Sequence, residues 1–340
     1  MGSPRVTVTI PTYNRAPRLR RTLGSVLEQS FGDVEVFVSD NASDDDTASV
    51  VASFGDPRVH YLRNERNLGH FVNLSVGLHA GTAPYLTVLP DDDVMLPGHL
   101  EQKVAFLDEH PAVGLVHSAF RRITQTPGED DEESDEYPGG QTDWIAPRQS
   151  VVRRLLEEAY YISYATALVR RSIVSSTECF AAEDRTADDV GLSLRLVCGA
   201  GEVGYLARPL VGITFHEEAL NTVAGGQTRV DDGYMATFAS VANEWRVKRR
   251  FLDRFGDQLG DPADLRRALD RRMQADMLRI VKRRTGPTRP PGAVCRLLVE
   301  AAREEPRLAL APTSARYLAG SVVAGARQVA GRHRKRSTVG

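Results

Sequence analysis

The chain has 340 residues, of which 41% are hydrophobic and 26% charged, a composition typical of a folded protein with one large or two modest domains. Its formal net charge of −2 gives no general argument for binding to nucleic acid or to a membrane, and we expect no nucleic acid as a partner. The three cysteines are far apart and form no metal pattern, which predicts reduced thiols in a cytoplasmic protein. We expect no transmembrane helix and no secretory segment, because no apolar run is long enough and a strand begins almost at once.

Strands and helices alternate over the first 120 residues. The periodicity predicts strands at 5–10, 34–39, 59–62, 85–89 and 114–120, with helices at 18–29, 47–54, 71–80 and 99–109. This alternation predicts βαβ units in an α/β fold with a doubly wound, mostly parallel sheet. The turn after the first strand is PTYNR (11–15), which matches neither G-x-G-x-x-G nor a P-loop. A glycine-rich helix start is therefore not expected to hold a pyrophosphate in this protein.

Three adjacent aspartates follow the apolar strand at 85–89. Asp91, Asp92 and Asp93 come at its carboxyl end, which is where open α/β sheets bind ligands. Adjacent carboxylates repel one another, and their hard oxygens suit Mg²⁺ or Mn²⁺ bound together with substrate phosphates. The aspartates therefore predict a metal site, and the alternative is a solvated turn that caps the next helix.

The middle of the chain continues the α/β pattern after a polar insertion. Residues 124–143 are acidic and rich in turn formers, which predicts a mobile surface loop, either simply solvated or acting as a lid. Helices are then predicted at 147–160 and 188–198, and strands at 163–169, 203–206 and 210–214, with His216 directly after the last strand.

From about residue 230 the pattern becomes helical. Helices are predicted at 235–255, 262–284 and 292–304. We therefore divide the chain into a domain over 1–229, with halves at 1–120 and 121–229, and a helical region over 230–340. No acidic residue follows Glu305, and the basic tail predicts either contact with an anionic membrane surface or a disordered end.

Four segments in this order resemble the nucleotide-binding half of a family 2 glycosyltransferase with the GT-A fold. They are PTYNR, VSDNASDDDT, NLGHFVNLSVGLHA and YLTVLPDDDVMLP, and the resemblance covers roughly residues 6–216. It implies an inverting transfer of a sugar from a nucleotide-diphosphate sugar, with UDP or dTDP favoured, to an acceptor hydroxyl. It also implies Mg²⁺ or Mn²⁺ as cofactor, and a glycan, a lipid-linked glycan or a small natural product as acceptor.

The resemblance also implies roles for individual residues. Asp40 would accept a hydrogen bond from the base, and the loop at Asn67 would close over the nucleotide. Family members often have an acidic residue where this chain has Pro90, so we align Asp91 with the ribose and Asp92 with the metal. The implied nucleotide-binding residues are Pro11, Thr12, Tyr13, Asn14, Asp40, Asn67 and Asp91, and the implied metal ligands are Asp92, Asp93 and His216.

Two acidic pairs compete for the catalytic base. The family has a leucine three residues and an arginine six residues after the second acid of such a pair. Asp188-Asp189 finds Leu192 and Arg195 at these positions, whereas the pair at 183–184 does not. We therefore predict Asp189 as the base, and a helix cap is the alternative for this pair.

Two other functions stay open on the sequence. A sugar-phosphate nucleotidyltransferase has a similar core sheet, but PTYNR lacks the glycine-rich loop of that class. A non-catalytic nucleotide-sugar-binding scaffold would bind a donor without turnover. A homodimer through the helical region and peripheral contact with the inner membrane face are further expectations.

Overall fold

The computed structural model describes residues 3–126, 128–158, 162–176, 188–216, 238–285 and 291–306. These residues fall into two compact units. The first holds the described residues between 3 and 155 and between 162 and 216, and the second holds those of 238–256 and 261–306. The boundary predicted between residues 229 and 230 lies outside the described residues.

The first unit is built on one large mixed sheet, which confirms the predicted α/β class. Its strands are β1 Val6–Thr12, β2 Val34–Asp40, β3 Val59–Arg63, β4 Tyr85–Val88, β5 Val94–Met95, β6 Val113–Thr124, β7 Glu132–Glu136, β8 Trp144–Pro147, β9 Ala167–Arg170 and β10 Glu202–Phe215. Their order is β3-β2-β1-β4-β9-β6-β10-β5, with β7 beside β6 and β8 beside β10. The pairs among β3, β2, β1 and β4 are parallel, whereas β9, β5, β7 and β8 pair in antiparallel fashion.

Helices of the first unit connect and cover these strands. They are α1 Ala16–Leu27, α2 Thr47–Ser53, α3 His70–Leu78, α4 His99–Glu109, α5 Arg148–Glu157, α6 Arg171–Ser176 and α7 Asp188–Gly199. Helix α1 shows why the sequence folds this way, since its apolar residues recur every three or four positions. Leu19, Leu23 and Val26 are fully buried in the same core as Val8 and Ile10 of β1.

Helix α3 approaches β1 at van der Waals distance through a glycine. A Cβ at Gly77 would lie 2.1 Å from Thr9 Cγ2, and Thr9 Oγ1 donates to the Gly77 carbonyl at 2.8 Å. Asn73 in the first half of α3 exchanges hydrogen bonds with Ser39 near the end of β2, which places this part of α3 beside that strand end.

We expect Gly77→Ala to lower the free energy of unfolding by about 1–3 kcal/mol, because the added methyl group overpacks this contact. Gly24→Ala in α1 is the matched control, since its Cβ position has no described neighbour within 4 Å beyond the adjacent residues and the nearby backbone of α1. The control should be neutral or raise stability by up to about 1 kcal/mol, through better helix propensity. Urea denaturation of both variants checks this, and equal effects would contradict the close packing of α3 on β1.

The acidic insertion is more regular than the sequence predicts. Residues Glu132–Glu136 form strand β7, which pairs with the outer half of β6, so the prediction of a loop is wrong over this stretch. Arg121 Nε donates to Asp135 Oδ1 at 2.8 Å, and Arg122 lies 3.7 Å from Glu136. Facing charges of opposite sign favour this hairpin, an effect that the acidic run alone does not reveal.

The described part of the second unit contains helices α8 Phe238–Phe255, α9 Pro262–Thr285 and α10 Pro291–Glu304. Its core contains Val241, Phe251, Leu269, Met273, Val281 and Val294. Asp276 is buried and accepts hydrogen bonds from Arg272 at 2.7 Å and Arg279 at 2.6 Å. Within the described ranges, no helix combines the length and apolar character that a membrane span requires. The basic tail lies outside the described residues.

Candidate active site

The carboxyl ends of β1, β2 and β4 lie side by side because these neighbouring strands are parallel. Thr12 ends β1, and its Oγ1 donates to Asp91 Oδ2 at 2.7 Å, which joins β1 to the segment after β4. Asn41 follows β2, and its N–H donates to the Thr12 carbonyl at 3.0 Å. The polar residues predicted for the site therefore meet along one edge of the sheet.

The three adjacent aspartates have different surroundings. Asp91 is buried, with Oδ2 bonded to Thr12 and Oδ1 3.1 Å from Arg15 Nη1. Burial, together with the nearby Asp92 charge, raises the pKa of Asp91 to about 6. Asp93 is also buried, and its Oδ1 accepts the N–H of Thr214 in β10 at 2.9 Å. Asp93 therefore joins β10 to the aspartate segment.

Asp92 is the aspartate that meets the predicted histidine. Its Oδ2 accepts from Arg15 Nη1 at 2.8 Å and lies 3.1 Å from His216 Nε2. Burial would raise the pKa of Asp92, but the hydrogen bond from His216 and the charge of Arg15 outweigh it and lower that pKa. Of the three predicted metal ligands, the structure thus brings Asp92 and His216 into contact, and it directs the Asp93 carboxylate to the β10 backbone.

Asp92 and His216 are suited to a divalent metal whose remaining ligands would come from the substrate. Across the part of the chain that the structure describes, no group of three or more His, Cys, Asp or Glu side chains is placed to hold a metal alone. Asp92 and His216 offer one carboxylate oxygen and one imidazole nitrogen 3.1 Å apart. Mg²⁺ and Mn²⁺ sites at phosphate substrates commonly use one or two protein carboxylates, with phosphate oxygens supplying further ligands.

Asp40 is fully buried at the end of β2. Its Oδ1 accepts from Ser43 N at 2.9 Å, and its Oδ2 accepts from the Tyr61 hydroxyl and lies 3.5 Å from Arg63 Nη1. Burial and the bond to Asp40 raise the pKa of Tyr61 to about 12. The predicted contact between Asp40 and a base therefore requires a donor such as Tyr61 to move.

A network of asparagines holds the loop at Asn67 against the end of β2. Asn41 Nδ2 donates to Asn67 Oδ1 at 2.8 Å, and Asn41 Oδ1 accepts from Leu68 N at 2.8 Å. Asn64 Nδ2 donates to Asn73 Oδ1 at 2.9 Å, which ties the same loop to α3. The loop predicted to cover the nucleotide is thus fastened to the sheet edge through Asn41.

Exposed apolar side chains flank this edge. Tyr13, Leu68 and Val72 are among the exposed large hydrophobic residues of the described chain. Tyr13 follows Thr12, and the turn after it is fixed by Asn14, which has a φ of 52° and whose N–H donates to Ser43 Oγ at 2.9 Å. Pro11 is buried within β1. The side chain of Tyr13 is therefore available to a ligand, whereas Pro11 shapes the strand.

Asp189 is the second residue of α7, but its side chain lies outside the described part of the structure. The helix itself is anchored by Ser193 Oγ, which donates to the Ile162 carbonyl at 2.6 Å, and it buries Leu192 and Arg195. The competing pair at 183–184 falls outside the described residues as well. The assignment of the base stays a prediction.

Sequence reasoning did not assign Arg15 and Asn41, although both stand within quoted motifs. Arg15 is the last residue of PTYNR, and Asn41 follows Asp40 in VSDNASDDDT. Their positions next to assigned residues were the available signal. Only the structure shows that Arg15 bridges Asp91 and Asp92 and that Asn41 holds Asn67.

A family model described as "Glycosyl transferase family 2" matches residues 7–177, about half of the chain. The chain belongs to glycosyltransferase family 2. This confirms the resemblance carried by the four motifs, and it argues against the nucleotidyltransferase alternative.

Curated relatives match part of the chain. A Campylobacter jejuni protein named "GalNAc(5)-diNAcBac-PP-undecaprenol beta-1,3-glucosyltransferase" is 38% identical over 100 residues, 28% of this chain and 32% of the relative. The succinoglycan biosynthesis protein ExoO of Rhizobium meliloti is 34% identical over 105 residues, 31% of this chain and 30% of the relative. The chain thus spans about a third of the length of the curated relatives it matches.

Solved structures agree on the fold. S. aureus TarS 1–349 in complex with UDP has a TM-score of 0.61 and 16% identity, over 97% of this chain and 91% of that one. The same protein in complex with UDP-GlcNAc has a TM-score of 0.60 and 16% identity, over 88% and 81% of the two chains. These matches show that the chain shares the fold of a GT-A glycosyltransferase, as the resemblance implied.

Proposed function

We propose that the protein transfers a sugar, with inversion, from a UDP- or dTDP-sugar to the hydroxyl group of a glycan or lipid-linked glycan. The observation that carries this proposal is the contact between Asp92, Arg15 and His216 at the carboxyl edge of the sheet. The site combines a carboxylate, a guanidinium and an imidazole, which are groups suited to a metal-bound diphosphate. Family membership supplies the reaction class.

Residues at the ends of β1 and β2 would bind the nucleotide. Tyr13 is exposed and offers an aromatic face on which a base can stack. Asn67 and its loop would cover the nucleotide, and Asp40 would accept from the base once Tyr61 has moved. We assign Asp91 to the ribose side, next to Thr12. Asn14 would shape the turn that presents Tyr13.

Asp92 and His216 would hold the divalent metal, Mg²⁺ or Mn²⁺. A bound metal would offset the negative charge that develops on the leaving diphosphate. We assign Asp93 to positioning, since its carboxylate bonds to the backbone of β10 beside His216. Arg15 contacts the same carboxylates when no metal is bound, and its pKa is raised because the attraction of Asp91 and Asp92 outweighs the cost of burial.

We assign the proton transfer to Asp189 at the start of α7. The acceptor hydroxyl would attack the anomeric carbon of the donor while Asp189 takes its proton, and the bond to the nucleoside diphosphate would break. A single displacement of this kind inverts the configuration at the anomeric carbon. The nucleoside diphosphate would leave with the bonding electron pair, and a metal held by Asp92 and His216 would offset its charge.

Relatives point to the acceptor class. The name of the Campylobacter jejuni relative describes a transferase for an undecaprenol-linked glycan, and ExoO is named for succinoglycan biosynthesis. Both names concern glycans that are built up stepwise, and we extend that acceptor class to this chain ahead of a small natural product. Because the tail is basic, we further propose that the protein is cytoplasmic and that its tail contacts an anionic membrane surface. A homodimer stays a prediction.

Calorimetric titration with UDP, dTDP and GDP, each with and without Mn²⁺, tests the proposal. We expect UDP or dTDP to bind, and to bind at least about tenfold more tightly with Mn²⁺, because metal and diphosphate share ligands. Absence of binding by any of these nucleotides would overturn the donor assignment. Hydrolysis of the bound UDP-sugar, or its transfer, then separates an enzyme from the scaffold alternative.

A further inference from the structure

The positively charged guanidinium of Arg15 contacts the Asp92 oxygen that we propose as a metal ligand. Arg15 Nη1 lies 2.8 Å from Asp92 Oδ2 and 3.1 Å from Asp91 Oδ1. The same Asp92 oxygen contacts His216 Nε2 at 3.1 Å. Arg15 and His216 therefore meet on the one carboxylate oxygen that the proposed metal would use.

We propose that Arg15 is a built-in counterion that competes with the divalent metal for Asp92, and that the diphosphate of the donor frees Asp92 by taking over Arg15. The inference rests on the proposed function, which supplies the metal and the diphosphate. It adds a role for a residue outside the predicted ligand set, and it predicts that metal and nucleotide bind cooperatively.

The competition follows from distance and burial. A metal binds a carboxylate oxygen at about 2.1 Å, so a metal on Asp92 Oδ2 would adjoin the guanidinium that is 2.8 Å from that oxygen. Only 20% of the Arg15 side chain and 12% of the Asp92 side chain is exposed. Water therefore screens the repulsion between the two cations poorly, and one of them has to leave.

Arg15 is able to change partners because its backbone is held by other residues. The N–H of Ala16 donates to Asp45 Oδ2 at 2.9 Å, and the N–H of Asn14 donates to Ser43 Oγ at 2.9 Å. The Arg15 carbonyl accepts from Leu19 N at 2.9 Å in the first turn of α1. The guanidinium can leave the aspartates while the turn and the start of α1 stay in place.

A diphosphate is a suitable new partner for the guanidinium. The planar fork of arginine matches two phosphate oxygens, and this pairing is stronger than a neutral hydrogen bond. The donor would thus draw Arg15 from Asp92 and also bring oxygen ligands to the metal. The metal and the diphosphate each favour the arrangement of Arg15 and Asp92 that the other binds. Each therefore raises the binding affinity for the other by the same factor.

Binding of Mn²⁺ alone to the full chain, followed by electron paramagnetic resonance of the free ion, gives the first test. We expect Arg15→Gln to tighten Mn²⁺ binding about tenfold in the absence of nucleotide, because the competing charge is gone. Arg15→Lys keeps the charge and should bind Mn²⁺ as the unmodified chain does. Arg20→Gln on α1 is the matched control, since Arg20 contacts Ser53 and is exposed.

Unchanged or weaker Mn²⁺ binding by folded Arg15→Gln would overturn the inference. Thermal melting establishes whether the variant is folded, and Arg15→Met is a second neutral variant of similar length. Should neither neutral variant fold, the unmodified chain still decides the matter. If UDP binds to it without tightening Mn²⁺ binding, Arg15 does not act as proposed.

Repeating the titrations with UDP separates this inference from the proposed function. In the unmodified chain UDP should tighten Mn²⁺ binding, and in Arg15→Gln this coupling should shrink about tenfold. Nucleotide binding with unaltered coupling in the variant would overturn the role of Arg15 and leave the function standing. Failure of UDP, dTDP and GDP to bind would overturn the function, and the titrations with Mn²⁺ alone would still judge Arg15.

Discussion

Asp189→Asn is expected to lower kcat for sugar transfer by about 10²- to 10⁴-fold while leaving nucleotide affinity within about twofold. A carboxylate that takes the proton of the attacking hydroxyl contributes rate enhancement of this size, and asparagine cannot take that proton. Nucleotide binding should persist because the residues assigned to it belong to the strand ends at β1, β2 and β4. Initial rates with the UDP-sugar that binds, together with calorimetry of UDP, measure both quantities.

Asp184→Asn is the control for this prediction. It belongs to the competing acidic pair, which lacks a leucine and an arginine at the family spacing. We expect Asp184→Asn to retain most of the transfer rate. A reversed result, in which Asp184→Asn is inactive and Asp189→Asn is active, would move the base to the other pair. Full activity in both variants would exclude Asp184 and Asp189 as the base.

Asp92→Asn is expected to abolish the part of nucleotide binding that depends on Mn²⁺ and to lower kcat/KM by at least about a hundredfold. Mutation of groups that only orient a metal ligand lowers metal affinity or activity by about 10- to 100-fold, and loss of the ligand itself should lower them at least as much. The amide oxygen also cannot balance the charge of Arg15. Titration of UDP with and without Mn²⁺ measures the effect on binding, and initial rates of sugar transfer measure the effect on kcat/KM.

Asp93→Asn tests the neighbouring position by the same measurements. Its carboxylate accepts the N–H of Thr214, and the Oδ1 atom of asparagine can accept the same bond. We therefore expect metal-dependent binding to survive this change. Loss of Mn²⁺ dependence in a stably folded Asp93→Asn, with retention in Asp92→Asn, would exchange the two assignments and make Asp93 the metal ligand.

The sequence predicted the sheet edge well because the relevant signals are local. The predicted strands at 85–89 and 34–39 are followed by acidic residues, and neighbouring parallel strands bring such ends together. The conformation of the acidic stretch at 132–136 was predicted less well, because this stretch pairs with β6 and faces Arg121 and Arg122 there. Its conformation depends on contacts with a separate segment of the chain, and the turn propensity of its own residues gives no information about such contacts.

By itself, the sequence determined the alternation of strands and helices, the family, and the position of three aspartates after β4. These follow from hydrophobic periodicity and residue order, which act within a few neighbours along the chain. The tertiary structure alone decided which partner each aspartate meets. His216 reaches Asp92 across 124 positions because β5 pairs with β10, and this pairing also turns Asp93 toward Thr214. Arg15 stands between Asp91 and Asp92 because β1 and β4 are adjacent. Such contacts depend on strand order and register, which only the assembled sheet defines.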